Sequence, residues 1–373
     1  MKPIPFFPYP ELFKADEAQL LEVIREVCSR GAYILQKDCL EFEQSIARLI
    51  GARHVFGVAN GTDAIVLGLK AAGIGPGDEV ILPSHTYIAT AAAVHWVGAK
   101  PVLAECGSDH MLDPSDIEHR ITARTRAIMP VQLNGRTCDM ERIQAIADAR
   151  QLLVVEDAAQ ALGSRFQNRS AGTFGAFGTF SFYPAKLLGC FGDGGAVVTN
   201  DDAIAREIKL LRDHGRDDSG RVVAWGLNSR LDNLQAAILN HKLKTFAGDL
   251  ARRRAIAARY RTGLGGLSQL ALPPAPDADP HHFDVYQNYE LQAQNRDQLR
   301  EHLHANGVRT LIQWGGTPVH QFTELGFSQQ LPRTDAFFRS CLMLPMNTAL
   351  SDAEVDTICA LIEAFYAAGA RRA

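Results

Sequence analysis

Apolar and polar positions along this chain switch repeatedly between a period of two and a period near 3.6. "HVFGVAN" (54–60) is a short apolar run ending at Asn60-Gly61, "TDAIVLGLKAAG" has helical spacing, and "GIGPGDEVILPS" supplies a turn and a second apolar run. The order is strand, helix, strand. It recurs through "AVHWVGAKPVLAEC", "TRAIMPVQLNG", "MERIQAIADARQLLVVEDAA" and "GAVVTNDDAIAREIKLLRDHG", which predicts a doubly wound α/β core: a mostly parallel sheet covered by helices. After about residue 245 the texture changes. A helical stretch, "ARRRAIAARYRTGL", leads to the loop "ALPPAPDADPHH", then to a strand-helix-strand reading of "YQNYELQAQ", "RDQLREHLHANG" and "VRTLIQW". The expected division is a large domain at 1–245, N-terminal segment included, and a smaller C-terminal α+β domain at 246–373.

Composition narrows the classes of function. The 373 residues, 46% hydrophobic and 21% charged, suffice for a large core, and the net charge of -4 comes without long runs of either sign. Capture of nucleic acid or of an anionic membrane is disfavoured. Cys28, Cys39, Cys106, Cys138, Cys190, Cys341 and Cys359 are scattered, odd in number and without CxxC spacing, so neither a disulfide framework nor a zinc site is expected. His281-His282 lacks a carboxylate pattern for a metal, and none is expected. "MKPIPFFPYPELF" has prolines where a signal peptide needs an unbroken apolar core, and no apolar run reaches a membrane span. A soluble protein of the cytoplasm is the expectation.

Sites in such sheets lie where strands end and helices begin, which singles out three places. At "NGTDA", Gly61 permits a close approach, and Thr62 and Asp63 stand at a helix N-terminus, where outward N–H groups attract phosphate unless one of these side chains merely caps the helix. At "QLLVVEDAAQALGS" a buried strand ends in Glu156-Asp157, and Gln160 follows three residues later. At "SFYPAKLLGCFGDGGAVVTN" Lys186 sits between an aromatic run and a glycine cluster. A lysine amine attacks a carbonyl only when neutral, so a buried, glycine-lined position makes it a Schiff-base candidate, although a loop lysine is the plainer reading. Phosphate cradle, strand-end carboxylate and buried lysine together are the parts needed to hold pyridoxal phosphate.

With these residues in view, the chain resembles the DegT/StrS-type sugar aminotransferases, pyridoxal phosphate enzymes of fold type I acting on nucleotide-linked keto sugars. The resemblance runs from "GAYILQKDCLEFEQSIARLIGARHVFGVANGTDAIVLGLKAAGIGPGDEVILPSHTYIATAAAV" through "VVEDAAQALGS", "FSFYPAKLLGCFGDGGAVVTN" and "GLNSRLDNLQAAIL" to "LPMNTALSDAEVD". It implies that Lys186 forms the Schiff base and shuttles a proton, that Asp157 faces the pyridine nitrogen and Gln160 the ring hydroxyl. It also implies that Gly61, Thr62, Asp63 and Ser181 hold the phosphate and that Tyr87 stacks on the ring. Asn228 would reach the phosphate of the neighbouring subunit, so a homodimer with shared sites is implied. The implied reaction is ping-pong: glutamate converts the cofactor to pyridoxamine phosphate, which aminates C3 or C4 of a nucleotide-linked keto deoxysugar. Rivals are amination of a cyclitol ketone, a dehydratase using the same cofactor, against which Lys186 weighs because such dehydratases carry histidine there, and a regulatory non-enzyme on the same fold. The chain departs from the family pattern at Gln132 and Asn134 in "PVQLNG" and at Gln313 and Trp314 in "QWGGTPVH". The family places these segments beside the substrate, so Gln313, Trp314 and His320 are candidate substrate contacts.

Overall fold

In the computed structural model, which describes residues 3–370, the first half of the chain forms β1 (His54–Val58), β2 (Glu79–Pro83), β3 (Lys100–Ala104), β4 (Thr125–Ile128), β5 (Leu153–Asp157), the short β6 (Arg165–Phe166) and β7 (Arg169–Ser170), β8 (Phe177–Ser181) and β9 (Gly195–Thr199). Seven of these build one sheet in the order β1-β9-β8-β5-β4-β2-β3. Pairings from β3 through β8 are parallel, as the alternating pattern requires. β9 runs antiparallel to both β8 and β1. The reason is local: residues 182–194 between β8 and β9 hold turns but no crossover helix, and without one a strand returns antiparallel. Lys186 lies in that return segment.

Every residue of β2 and of β9 is buried, as expected for strands covered on both faces. Successive residues of β9 serve different layers: Val197 packs with Leu67, Val80 and Phe177, and Val198 packs with Phe42, Phe180 and Leu239. The helix Gly61–Ala71 lies so close to β8 that a Cβ on Gly68 would meet the Phe177 ring at 2.3 Å.

The second half adds β10 (Leu270–Ala271), β11 (His282–Phe283), β12 (Tyr289–Ala293) and β13 (Cys341–Leu344). β10, β12 and β13 form an antiparallel sheet, whereas β11 pairs with β6 of the first half. Helices Phe246–Leu264, Arg296–Ala305 and Asp352–Ala370 supply most of the packing for this sheet, and Ile4 joins their cluster from the N-terminus. "VRTLIQW" does not form the expected strand. β12 already has partners on both edges, and Leu311 makes only an isolated bridge to Met343 before Trp314 (φ 49) and Gly315 (φ 70) turn the chain out of extended conformation. Among the described residues, no helix is long and apolar enough to cross a membrane.

Candidate active site

The sheet topology gathers one set of strand ends. Ser181 closes β8 opposite Gly195, the first residue of β9, which lies in line with Val58 at the end of β1; Asp157 ends the neighbouring β5. A Cβ on Gly61 would stand 2.9 Å from the Ser181 Cβ, so only glycine lets the start of the helix Gly61–Ala71 reach the Ser181 side chain. The cap of this helix is Asn60 and neither Thr62 nor Asp63: the Asn60 side chain accepts from the Asp63 N–H at 2.8 Å. The N–H groups of Gly61 and Thr62 remain as the helix's outward donors beside the Ser181 hydroxyl. This is a cradle of anion-binding chemistry.

Glu156 and Asp157 diverge because neighbouring strand residues point to opposite faces. Glu156 is buried in the fold: it accepts from Gln132 Nε2 at 2.7 Å and from the backbone N–H of Gly172, Phe174 and Gly175 at 2.8, 2.6 and 3.3 Å. Gln132, whose Oε1 accepts from the Cys138 N–H at 2.7 Å, is thereby a core residue and does not border the cleft. Asp157 accepts from Thr90 Oγ1 at 2.7 Å and from the Ala159 N–H at 3.1 Å. Burial pushes its carboxyl up, while these two hydrogen bonds and the Lys186 charge oppose the shift. Lys186 shows the converse: burial pushes its amine down to about 8, and Asp157 holds it from falling further. The two groups are thus close enough to couple, Asp157 buried and Lys186 half-buried.

Gln160 is held by its carbonyl, Oε1 accepting from the backbone N–H of Asn134 at 2.9 Å and from Asn288 Nδ2 at 3.3 Å. Tyr87 precedes the helix Ile88–Trp96 with its side chain 57% exposed, leaving a ring face free for stacking. Asn228 is exposed too, and borders a surface hollow with Asn60 and Gly192. His320 has both ring nitrogens engaged in hydrogen bonds, Nδ1 2.8 Å from Ser84 Oγ and Nε2 3.0 Å from Asp335 Oδ1. Gln313 is buried against Glu290, and the Trp314 ring meets His85 edge-on at 5.3 Å. Sequence reasoning did not single out Thr90, Asn288 or Glu290. Glu290 carries a legible signal, a carboxylate inside the short apolar strand "YELQA".

Comparison with known proteins decides the family. The description DegT/DnrJ/EryC1/StrS aminotransferase family matches residues 14–363. The chain belongs to this family. It is 42% identical over 353 residues, 93% of this chain and 92% of the relative, to a dTDP-3-amino-3,4,6-trideoxy-alpha-D-glucose transaminase of Streptomyces venezuelae. A UDP-2-acetamido-2-deoxy-3-oxo-D-glucuronate aminotransferase of Pseudomonas aeruginosa is 38% identical over 340 residues, 91% of this chain and 94% of that one. Among solved structures, S. venezuelae DesV in complex with a ketimine intermediate superposes with a TM-score of 0.93 at 39% identity, covering 98% of this chain and 99% of DesV. The α/β architecture is therefore the family's fold, and the protein is an aminotransferase of the sugar-transaminase kind.

Proposed function

We propose that the protein transfers an amino group from L-glutamate, by way of pyridoxal phosphate bound to Lys186, to the C3 or C4 ketone of a nucleotide-linked deoxysugar, in the cytoplasm. The observation that carries the reading is the placement of the Lys186 amine with the buried, doubly hydrogen-bonded Asp157 carboxylate at the strand ends that also form the Gly61–Ser181 cradle. The residues fit the cofactor: the Gly61–Ser181 cradle suits its phosphate, Asp157 its ring nitrogen, and Gln160, with its carbonyl engaged, leaves an N–H donor for its ring hydroxyl. When bound, pyridoxal phosphate supplies an aldehyde that exchanges amines and a ring that accepts electron density.

The chain's own groups do the rest. Asp157, fixed by Thr90 and the Ala159 N–H, holds a negative charge opposite the ring nitrogen and keeps that nitrogen protonated. Lys186 Nζ takes and returns the proton at the reacting carbon. The outward N–H groups of Gly61 and Thr62 and the Ser181 hydroxyl would anchor the phosphate, the Asp63 N–H being given to the Asn60 side chain, and the nucleotide, far from the ketone, would position it through remote binding energy. The named substrates of the relatives favour a nucleotide sugar over a cyclitol ketone. The deciding experiment loads the protein with pyridoxamine phosphate and offers dTDP-, UDP- and GDP-linked 3-keto and 4-keto sugars, reading product mass. Amination of a cyclitol ketone, with every nucleotide sugar left untouched, overturns the reading.

The Lys186 shift sets a pH dependence. An amine titrating near 8 is roughly one-tenth neutral at pH 7, whereas one near the usual lysine value is neutral in only about one molecule in three thousand. The rate at which cofactor-free protein captures pyridoxal phosphate is expected to rise about tenfold per pH unit below 8 and to level above it, measured by stopped-flow absorbance. A rate still climbing tenfold per unit at pH 10 would place the reacting amine in open solvent.

Each site is further proposed to take Asn228 from a two-fold partner. Mixing Lys186→Ala with Asn228→Asp chains then gives hybrid dimers carrying one doubly altered and one intact site. With about half the dimers hybrid, activity recovers to roughly a quarter of normal. Hybrid dimers confirmed by mass but no more active than the separate variants would make each pocket self-contained.

A further inference from the structure

Asn134 and Gln313, both in segments that depart from the family pattern, converge on one buried acid, and Asn288 joins Asn134 to Gln160. Glu290 is 3% exposed and sits in β12. Asn134 Nδ2 donates to its Oε2 at 2.7 Å, and Gln313, with its amide nitrogen turned to the carboxylate, reaches Oε1 and Oε2 at 2.7 and 2.8 Å. Asn134 holds a left-handed backbone (φ 55), and its Oδ1 accepts from Asn288 Nδ2 at 2.8 Å; the same Asn288 amide reaches Gln160 Oε1. One chain of amides therefore runs from Glu290 through Asn134 and Asn288 to Gln160.

Its polarity is fixed at both ends. A backbone N–H can only donate, so the Asn134 N–H identifies the Gln160 atom facing it as the carbonyl oxygen, and the Gln160 amine group must face the other way. A carboxylate can only accept, so Asn134 must present Nδ2 to Glu290 and Oδ1 to Asn288. His110, Cys341 and His85 are titratable neighbours of Glu290; His85 has its Nδ1 2.9 Å from the His110 carbonyl and must donate to it. Its Nε2 stands 3.5 Å from Glu290 Oε2, without a hydrogen-bond partner among the described residues. His110, on the far side, meets Gln292 at 3.1 Å. Asn134, Asn288, Glu290 and His110 also line a cavity of about 300 Å³ beside the Gln160 edge.

We infer that Glu290 is a positioning residue for the cofactor: through Asn134 and Asn288 it reinforces the orientation that the Asn134 N–H gives the Gln160 amide, so that the Gln160 N–H meets the ring hydroxyl oxygen of pyridoxal phosphate. The inference rests on the proposed function and adds a residue outside the motifs that carry it. Glu290 acts by steadying the amides that hold Gln160 in that orientation. A donor there stabilises the ionised ring oxygen, and its loss raises the affinity of the Lys186-linked chromophore for its proton.

The test is the visible absorbance of the bound chromophore titrated against pH, in the full-length holoenzyme. Glu290→Leu removes the carboxylate that Asn134 and Gln313 face, and Asn288→Ala breaks the chain one step later by taking the donor away from Asn134 Oδ1 and Gln160 Oε1. Both are expected to move the titration midpoint upward in the direction set by Gln160→Ala. Combining Glu290→Leu with Gln160→Ala should add nothing to Gln160→Ala alone. Glu290→Gln, which can still offer a carbonyl to Asn134, should restore most of the parent midpoint. Additive shifts, or variants that melt earlier while their midpoint stays in place, would make Glu290 a packing residue only. Should Glu290→Leu fail to fold, the Asn288→Ala and Gln160→Ala pair decides by the same comparison. Absence of any chromophore in the parent protein would instead refute the cofactor assignment on which the inference stands.

Discussion

Replacing Lys186 by alanine is expected to lower turnover by roughly four orders of magnitude, the upper end of what positioned proton transfer contributes, while circular dichroism stays unchanged. The amine lies in the return segment between β8 and β9, where burial holds it near 8 and Asp157 is its charged neighbour. Lys186→Arg should fare no better, because a guanidinium stays protonated and offers no neutral nitrogen. Both variants should still bind pyridoxamine phosphate, since the cradle at Gly61 and Ser181 is untouched. Turnover within tenfold of the parent in either variant would transfer the amine role to another lysine.

Asp157→Asn is expected to cost about a thousandfold in turnover. Unit charges ~4 Å apart at an effective dielectric of ~20 interact by about 4 kcal/mol before desolvation, which corresponds to that factor. The fold should hold. Thr90 Oγ1 already lies 2.7 Å from Thr86 Oγ1, so it can donate there and accept from the new amide, and the Ala159 N–H keeps an oxygen to bond. The loss should fall on kcat, with cofactor still captured by Lys186. A variant within threefold of parent turnover would show that no charge is needed opposite the ring nitrogen.

The alternation of strand and helix was legible because the central strands are short, mainly apolar runs and their helices carry 3.6-residue spacing. Asp157 was legible as a polar residue ending such a strand, and Lys186 as a lone lysine between an aromatic run and a glycine cluster. What the sequence hid was direction and pairing. Nothing in "GAVVTN" says that β9 runs antiparallel; that follows from the missing crossover helix in residues 182–194. Gln132 reads like a cleft residue until Glu156, on the opposite face of β5 from Asp157, claims its amide. His320 likewise looks available until Ser84 and Asp335, 236 and 15 residues away, occupy its two nitrogens. The Asn134–Asn288–Glu290 chain joins residues more than 150 positions apart, and no local pattern encodes such a contact.

Borohydride reduction of the holoenzyme followed by peptide mapping tests the central claim most directly. The account expects pyridoxal phosphate fixed irreversibly to a single peptide, with the label on Lys186. A label on any other lysine, or a cofactor that washes out unreduced, would contradict it.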